Sequence, residues 1–224
     1  MINYKVIFSR RRSIGITIGP ESGVIVRAPF RTSQKTIENL VLSKSRWIKK
    51  HLENHADQIR INQNRRYANG ELHYFGGREY PLRIVQSEQS YVKHYEDVIE
   101  IGLKVIDKMD KVRLLLKNWY KKTAAEHFRK SLDEILDKYS NYNFSPASLA
   151  VRTMKGRWGS CNSKGRITLS TELIKIDGKY TEYVILHELC HLKHHDHSSA
   201  YYKLLAEVYP DWKTVRKELR KYVG

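Results

Sequence analysis

Cysteine is nearly missing from this chain: Cys161 and Cys190 are the only two among 224 residues. A disulfide-stapled secreted domain carries more, so both read as free core thiols of a reducing compartment. No apolar run approaches the ~20 residues a membrane helix needs, which excludes a bilayer span. The N-terminus sets a short apolar patch ahead of Arg10, Arg11 and Arg12. An export signal has the opposite order, so the expectation is a cytoplasmic protein without membrane contact. Internal repeats and low-complexity linkers are also lacking. Acidic residues are scarce, 24 against 41 Lys and Arg, for a formal net charge of +17. Residues 1–150 contribute +11 (27 basic less 16 acidic) and residues 151–224 contribute +6 (14 less 8), so the basicity is no single tail. Such a surplus favours nucleic acid, nucleotides or other polyanions as partners; oligomeric state has no signature here.

Hydrophobic patterning supplies the organisation. Ile14, Ile16 and Ile18, then Val24, Val26 and Ala28, alternate about a turn at residues 20–23, which predicts a β-hairpin. Residues 34–66 carry Ile37, Leu40, Val41, Trp47, Ile48 and Leu52 at helical spacing. Short strands are expected over 70–105, turning at Gly76-Gly77 and near 88–90, and a long helix over 108–139. Short strands return over 148–170. Helices are expected over 179–194, from Ser198 as N-cap, and from Pro210. The fold class is α+β: a strand-rich N-terminal half with long helices, then a small α+β unit. A soft division puts residues 1–105 in one region and 106–224 in the other, with one continuous domain as the alternative.

The segment 183–192 contains His187-Glu188-Leu189-Cys190-His191, an H-E-x-x-H inside a helix apolar on nearly every side. Histidines four apart project from one helical face, one turn from each other. Two imidazoles so placed can bind one Zn²⁺ at ~2.0–2.1 Å. Glu188, one position over, can take a proton from a water the metal activates. The flanking Val184, Ile185, Leu186, Leu189 and Leu192 imply burial, and buried imidazoles and carboxylates need partners. A satisfied pair of core histidines is the bland alternative.

The third ligand is open on spacing alone. His197 lies ten residues after His187, the position of the third histidine in H-E-x-x-H-x-x-G-x-x-H. His194 takes that pattern's glycine position. Glu207 is the rival, taken from a following helix; His194 and His195 are lesser rivals. Asp196 is either an orienting partner of an imidazole or a plain helix-end residue. His194, His195, Tyr201 and Tyr202 are candidates to steady an oxyanion. Upstream, Arg157-Trp158-Gly159-Ser160-Cys161 reads either as a strand along the cleft offering backbone groups to an extended substrate, with Trp158 as a contact, or as a core Trp and Cys with a glycine bend.

Taken in order, 157–161, Ile167-Thr168-Leu169-Ser170, 183–191, His197-Ser198 and Pro210-Asp211-Trp212 resemble the YgjP-like family of metal-dependent hydrolases, as do Arg10-Arg11-Arg12-Ser13-Ile14, residues 24–29 and Trp47-Ile48. The resemblance spans nearly the whole chain. It implies a zincin-like metallopeptidase unit, distantly SprT-like, with one zinc per chain held by His187, His191 and His197, Glu188 as base, and a peptide or protein as substrate. The family tends to have Asn before the third histidine and Phe-Trp after it; this chain has Asp196 and Tyr201-Tyr202, which bears on substrate preference. Two other functions fit the composition: a metal-dependent hydrolase of nucleotide phosphoanhydrides, and a non-enzymatic nucleic-acid binder with a structural zinc. A structural zinc usually takes four protein ligands, often cysteines, and four are not at hand.

Overall fold

The computed structural model describes residues 2–19, 23–49, 52, 65–106, 109–154 and 156–222. Two compact units divide at residues 65 and 66. In the first, β2 (Gly15–Gly19) and β3 (Gly23–Pro29) form the expected antiparallel hairpin, whose turn residues 20–22 lie outside the described residues. An unforeseen strand, β1 (Tyr4–Ser9), pairs with β3 in parallel. The alternate residues Val24, Val26 and Ala28 face the core with Ile37, Val41 and Ile48.

Helix α1 (Gln34–Ser43) starts at Ser33, whose hydroxyl accepts from the Thr36 N–H. The single helix expected over 34–66 is not found. It breaks at Lys44, where the Ser43 hydroxyl bonds the Leu40 carbonyl and competes with the helix ladder. Residues 45–49 are helical again, 53–64 lie outside the described residues, and 65 and 66 are not helical.

In the second unit, β4 (Leu72–Phe75), β5 (Arg78–Gln86), β6 (Tyr91–His94) and β7 (Ile99–Leu103) form one sheet in the order β4-β5-β7-β6. Gly76 and Gly77 close the β4–β5 hairpin, both with positive φ (59° and 83°), as a two-residue primed turn requires. Helix α2 (Met109–Lys138) buries Val112, Leu116, Tyr120, Ala124, Phe128, Leu132 and Ile135 along one stripe. Leu82, Ile99, Ile101 and Leu103 of the sheet share the core of α2 and of the C-terminal helices. The strands over 70–105 therefore pack with α2 and the C-terminal part of the chain, and the compact units divide at residues 65 and 66, well before residue 105. The charge divides unevenly at the observed boundary: residues 1–65 carry 13 basic and 4 acidic residues, a net +9 of the total +17.

A second sheet in the order β8-β10-β9 joins β8 (Ser148–Arg152), β9 (Gly159–Cys161) and β10 (Arg166–Ser170), with β9 at its edge. Against it lies α3 (Gly178–Cys190), N-capped by Asp177 and buried on nearly all sides. Helices α4 (Ser199–Val208) and α5 (Trp212–Leu219) follow. Ser198 is the N-cap of α4, as expected. Helix α5 begins at Trp212 behind Asp211, two residues after Pro210. Among the described residues no helix is long and apolar enough to cross a membrane.

Candidate metal centre

Helix α3 carries His187 and His191 on one face, and the chain reverses just beyond. Leu192 N–H donates to the Leu189 carbonyl and His194 N–H to that of Cys190, both at 3.0 Å. The glycine of the longer histidine pattern is not needed, because no residue from 191 to 197 has a positive φ. His194 contributes its backbone: its carbonyl accepts from His191 Nδ1 at 3.1 Å. A carbonyl only accepts, so Nδ1 carries the proton and Nε2 of His191 is left with its lone pair.

Tyr201, fully buried on α4, does the same for His187. Its hydroxyl donates to the His187 carbonyl at 3.1 Å and stands 2.6 Å from His187 Nδ1. With the phenol proton on the carbonyl, Nδ1–H is the donor to the phenol oxygen and Nε2 of His187 is free. The same bond satisfies a carbonyl in the last turn of α3. The Tyr201 ring also stacks on His191, with centroids 4.6 Å apart and planes at 27°.

His197 completes the group. Its Nε2 lies 3.4 Å from His187 Nε2, and one donor atom from each of His187, His191 and His197 falls within 4.8 Å of the others. Four-coordinate zinc with ~2.0–2.1 Å bonds separates neighbouring ligand atoms by roughly 3.3–3.4 Å, which is the spacing of the His187 and His197 nitrogens. Burial, and then the neighbouring imidazoles, push His187 down to about 3. Burial also lowers His191. Both rings are thus neutral near pH 7, the form that binds metal.

Glu188 is buried beside them. Burial pushes its carboxyl up to about 8, against the opposing pull of Arg157 and of the Cys161 backbone N–H, which donates to it. This contact explains the 157–161 string. In the β9–β10 register, Ser160 faces Thr168 while Trp158 and Asn162 bond to Ser170 and Arg166. The N–H groups of Gly159 and Cys161 therefore point to the open edge, and that of Cys161 reaches Glu188. A Cβ on Gly159 would stand 2.6 Å from Glu188 Oε1.

The other candidates separate. Among the described residues only His187, His191 and His197 form a metal-ligating group; Glu207 is exposed on α4 outside it. His195 is exposed, and so is Asp196, whose carboxyl is held low first by a hydrogen bond from Ser198. Trp158 is half-buried in the core with its Nε1 unpartnered. Both cysteines are free thiols. Sequence reasoning missed Arg216, whose guanidinium donates to the Tyr202 hydroxyl at 3.3 Å. Its position four after Trp212, on the same face of α5, was the available signal.

An H-E-x-x-H helix with a third histidine and a buried glutamate defines the class of metal-dependent peptidases. The chain belongs to the YgjP-like family, whose model, described as YgjP-like, metallopeptidase domain, matches residues 12–222. Less than half of the chain is similar to two solved structures. One is the metallopeptidase zymogen of Methanocaldococcus jannaschii jannalysin, 21% identical, TM-score 0.38, covering 43% of this chain and 97% of that one. The other is the zymogen of Pyrococcus abyssi abylysin, 21% identical, TM-score 0.37, covering 42% and 92%. No curated protein matches the chain.

Tyr201 gives a first expected result. Tyr201→Phe keeps the buried ring and removes the hydroxyl that fixes His187. Zinc affinity is expected to fall about 10–100-fold, the usual effect of losing a ligand's hydrogen-bond partner. Competition with a chromogenic chelator measures it, and unchanged affinity would show that packing alone orients His187.

Proposed function

We propose that the chain is a zinc-dependent peptidase, with the ion held by Nε2 of His187, His191 and His197 and with Glu188 as general base. The observation that carries this reading is the convergence of three imidazoles, two of them with Nδ1 tied to a protein partner. Zinc bound there would supply Lewis acidity. Glu188 is placed to take a proton from the attacking water and to return it to the leaving amine. The Cys161 N–H holds the carboxylate at the open edge of β9, beside the free backbone groups of Gly159 to which an extended peptide can pair.

Metal analysis tests the ligand set. The purified chain is expected to take up one equivalent of zinc and to gain thermal stability on loading, because the ion binds the folded state. Chelation should abolish hydrolysis of a mixed peptide substrate, and zinc should restore it. His191→Ala and His197→Ala should each lower the bound zinc; full occupancy in both would refute the triad.

A further inference from the structure

Arg216 is a half-buried guanidinium without an acidic partner among the described residues, although it stands one side chain away from the histidine triad. The Tyr202 ring lies 6.0 Å from that of His197 and stacks on Trp212 at 4.9 Å and 18°. Arg216 Cζ is 6.0 Å from the centroids of both Tyr202 and Trp212, and its Nη1 donates to the Tyr202 hydroxyl. Two aromatic walls and one hydrogen bond thus hold the fork in place and leave its remaining N–H donors unassigned. Arg157, exposed on the β9 side, pulls electrostatically on Glu188 and so does not share this position. The nearby acids are otherwise engaged: Glu218 is bound to Lys179 and Tyr180, and Asp196 to Ser198.

A partly desolvated cation is normally paired. Arg216 therefore leaves an anion to be supplied from outside. The planar guanidinium, already oriented, suits two-oxygen recognition of a carboxylate.

The geometry points to Arg216, held by Tyr202 and Trp212, as a carboxylate-binding subsite, so that the preferred substrates are peptides carrying an acidic side chain or a free C-terminal carboxylate close to the scissile bond. This rests on the peptidase reading above and names its substrate class. An extended peptide advances roughly 3.3–3.6 Å per residue, so the carboxylate lies within about three residues of the bond cut. Tyr202 supplies the hydroxyl that Arg216 uses.

The test is binding to zinc-loaded Glu188→Gln protein, so that no turnover is needed. Fluorescein-labelled peptides that differ only by Glu or Gln at successive positions, each with a free or an amidated C-terminus, are titrated by anisotropy. The best acidic peptide is expected to bind about tenfold tighter than its neutral partner, the scale of one charge-assisted pair. Adding Arg216→Gln, which can still bond Tyr202, should erase that advantage. Loss on Glu→Gln identifies a side-chain carboxylate, and loss on amidation a terminal one; either supports the subsite. Equal affinities, no binding of any acidic peptide, or a preference that survives Arg216→Gln overturns it. An Arg216-dependent preference for a nucleoside triphosphate over every peptide also overturns it. If acidic peptides bind through Arg216 yet the wild-type enzyme cuts none, the peptidase reading fails while the subsite stands.

Discussion

Glu188→Gln is expected to lower kcat by about 10²–10⁴-fold, the usual range for a lost general base, with zinc content unchanged. Glutamine matches the carboxylate in shape and keeps an oxygen for the Cys161 N–H, so neither packing nor the imidazoles should move. What disappears is the ability to take a proton. Turnover equal to wild type, with full metal occupancy, would remove Glu188 from the mechanism. The same variant has a second signature in the metal-free protein. Burial raises Glu188 from the ordinary carboxylate range to about 8, so the folded state holds a proton that the unfolded chain releases near pH ~4.3. Stability from this group is fully present below that lower value and is lost as pH rises to about 8. Glutamine has nothing to lose. The melting temperature of metal-free Glu188→Gln should therefore gain on wild type between pH 5 and pH 8 and stay level above; a constant difference would contradict the burial argument.

How much of this was legible in the sequence depends on the range of the interaction. His187, Glu188 and His191 lie within one helical turn, and helix periodicity alone puts the two imidazoles on one face. Ser198 as N-cap and Gly76-Gly77 as a hairpin are equally local. His197 needed a reversal that the sequence did not explain. The reversal closes without glycine through His191 itself, whose Nδ1 holds the His194 carbonyl, so ligand and turn stabilise each other. The contacts that finish the site are long-range. Tyr201 was on view as a candidate to steady an oxyanion, yet its buried hydroxyl faces His187 from behind. Strand pairing and packing, which no local pattern encodes, decide that the strands over 70–105 join the C-terminal core and that β1 lies beside β3. The 157–161 string stood out as unusual, but its chemistry lies in a backbone N–H and a missing side chain. Neither is visible until β9 is set against α3.

That missing side chain yields the other large effect. Gly159→Ala should leave zinc binding intact and lower kcat by about 10²-fold, the loss that a misplacement of ~1 Å can cause. Gly159 does not have a positive φ, so alanine can adopt its backbone conformation, and the constraint is space alone. A Cβ there meets Glu188 Oε1 at 2.6 Å, Val184 Cγ1 at 2.9 Å and Glu188 Cγ at 3.0 Å. Val184 and Glu188 are one turn apart on α3 and both buried, so the helix has little room to retreat. The nearest atom is the end of a flexible side chain, so the carboxylate yields before the fold does. The stability loss should stay within the ~1–3 kcal/mol typical of overpacking, measurable by denaturant titration. His187 and His191 are outside these contacts, which is why the metal should remain. The decisive measurement is the double variant. If alanine acts by displacing the base, Gly159→Ala adds almost nothing to the kcat loss of Glu188→Gln, since one function is removed only once. Full additivity of the two losses, or a Gly159→Ala protein that has lost its zinc, would mean that this glycine serves the fold or the metal instead of Glu188.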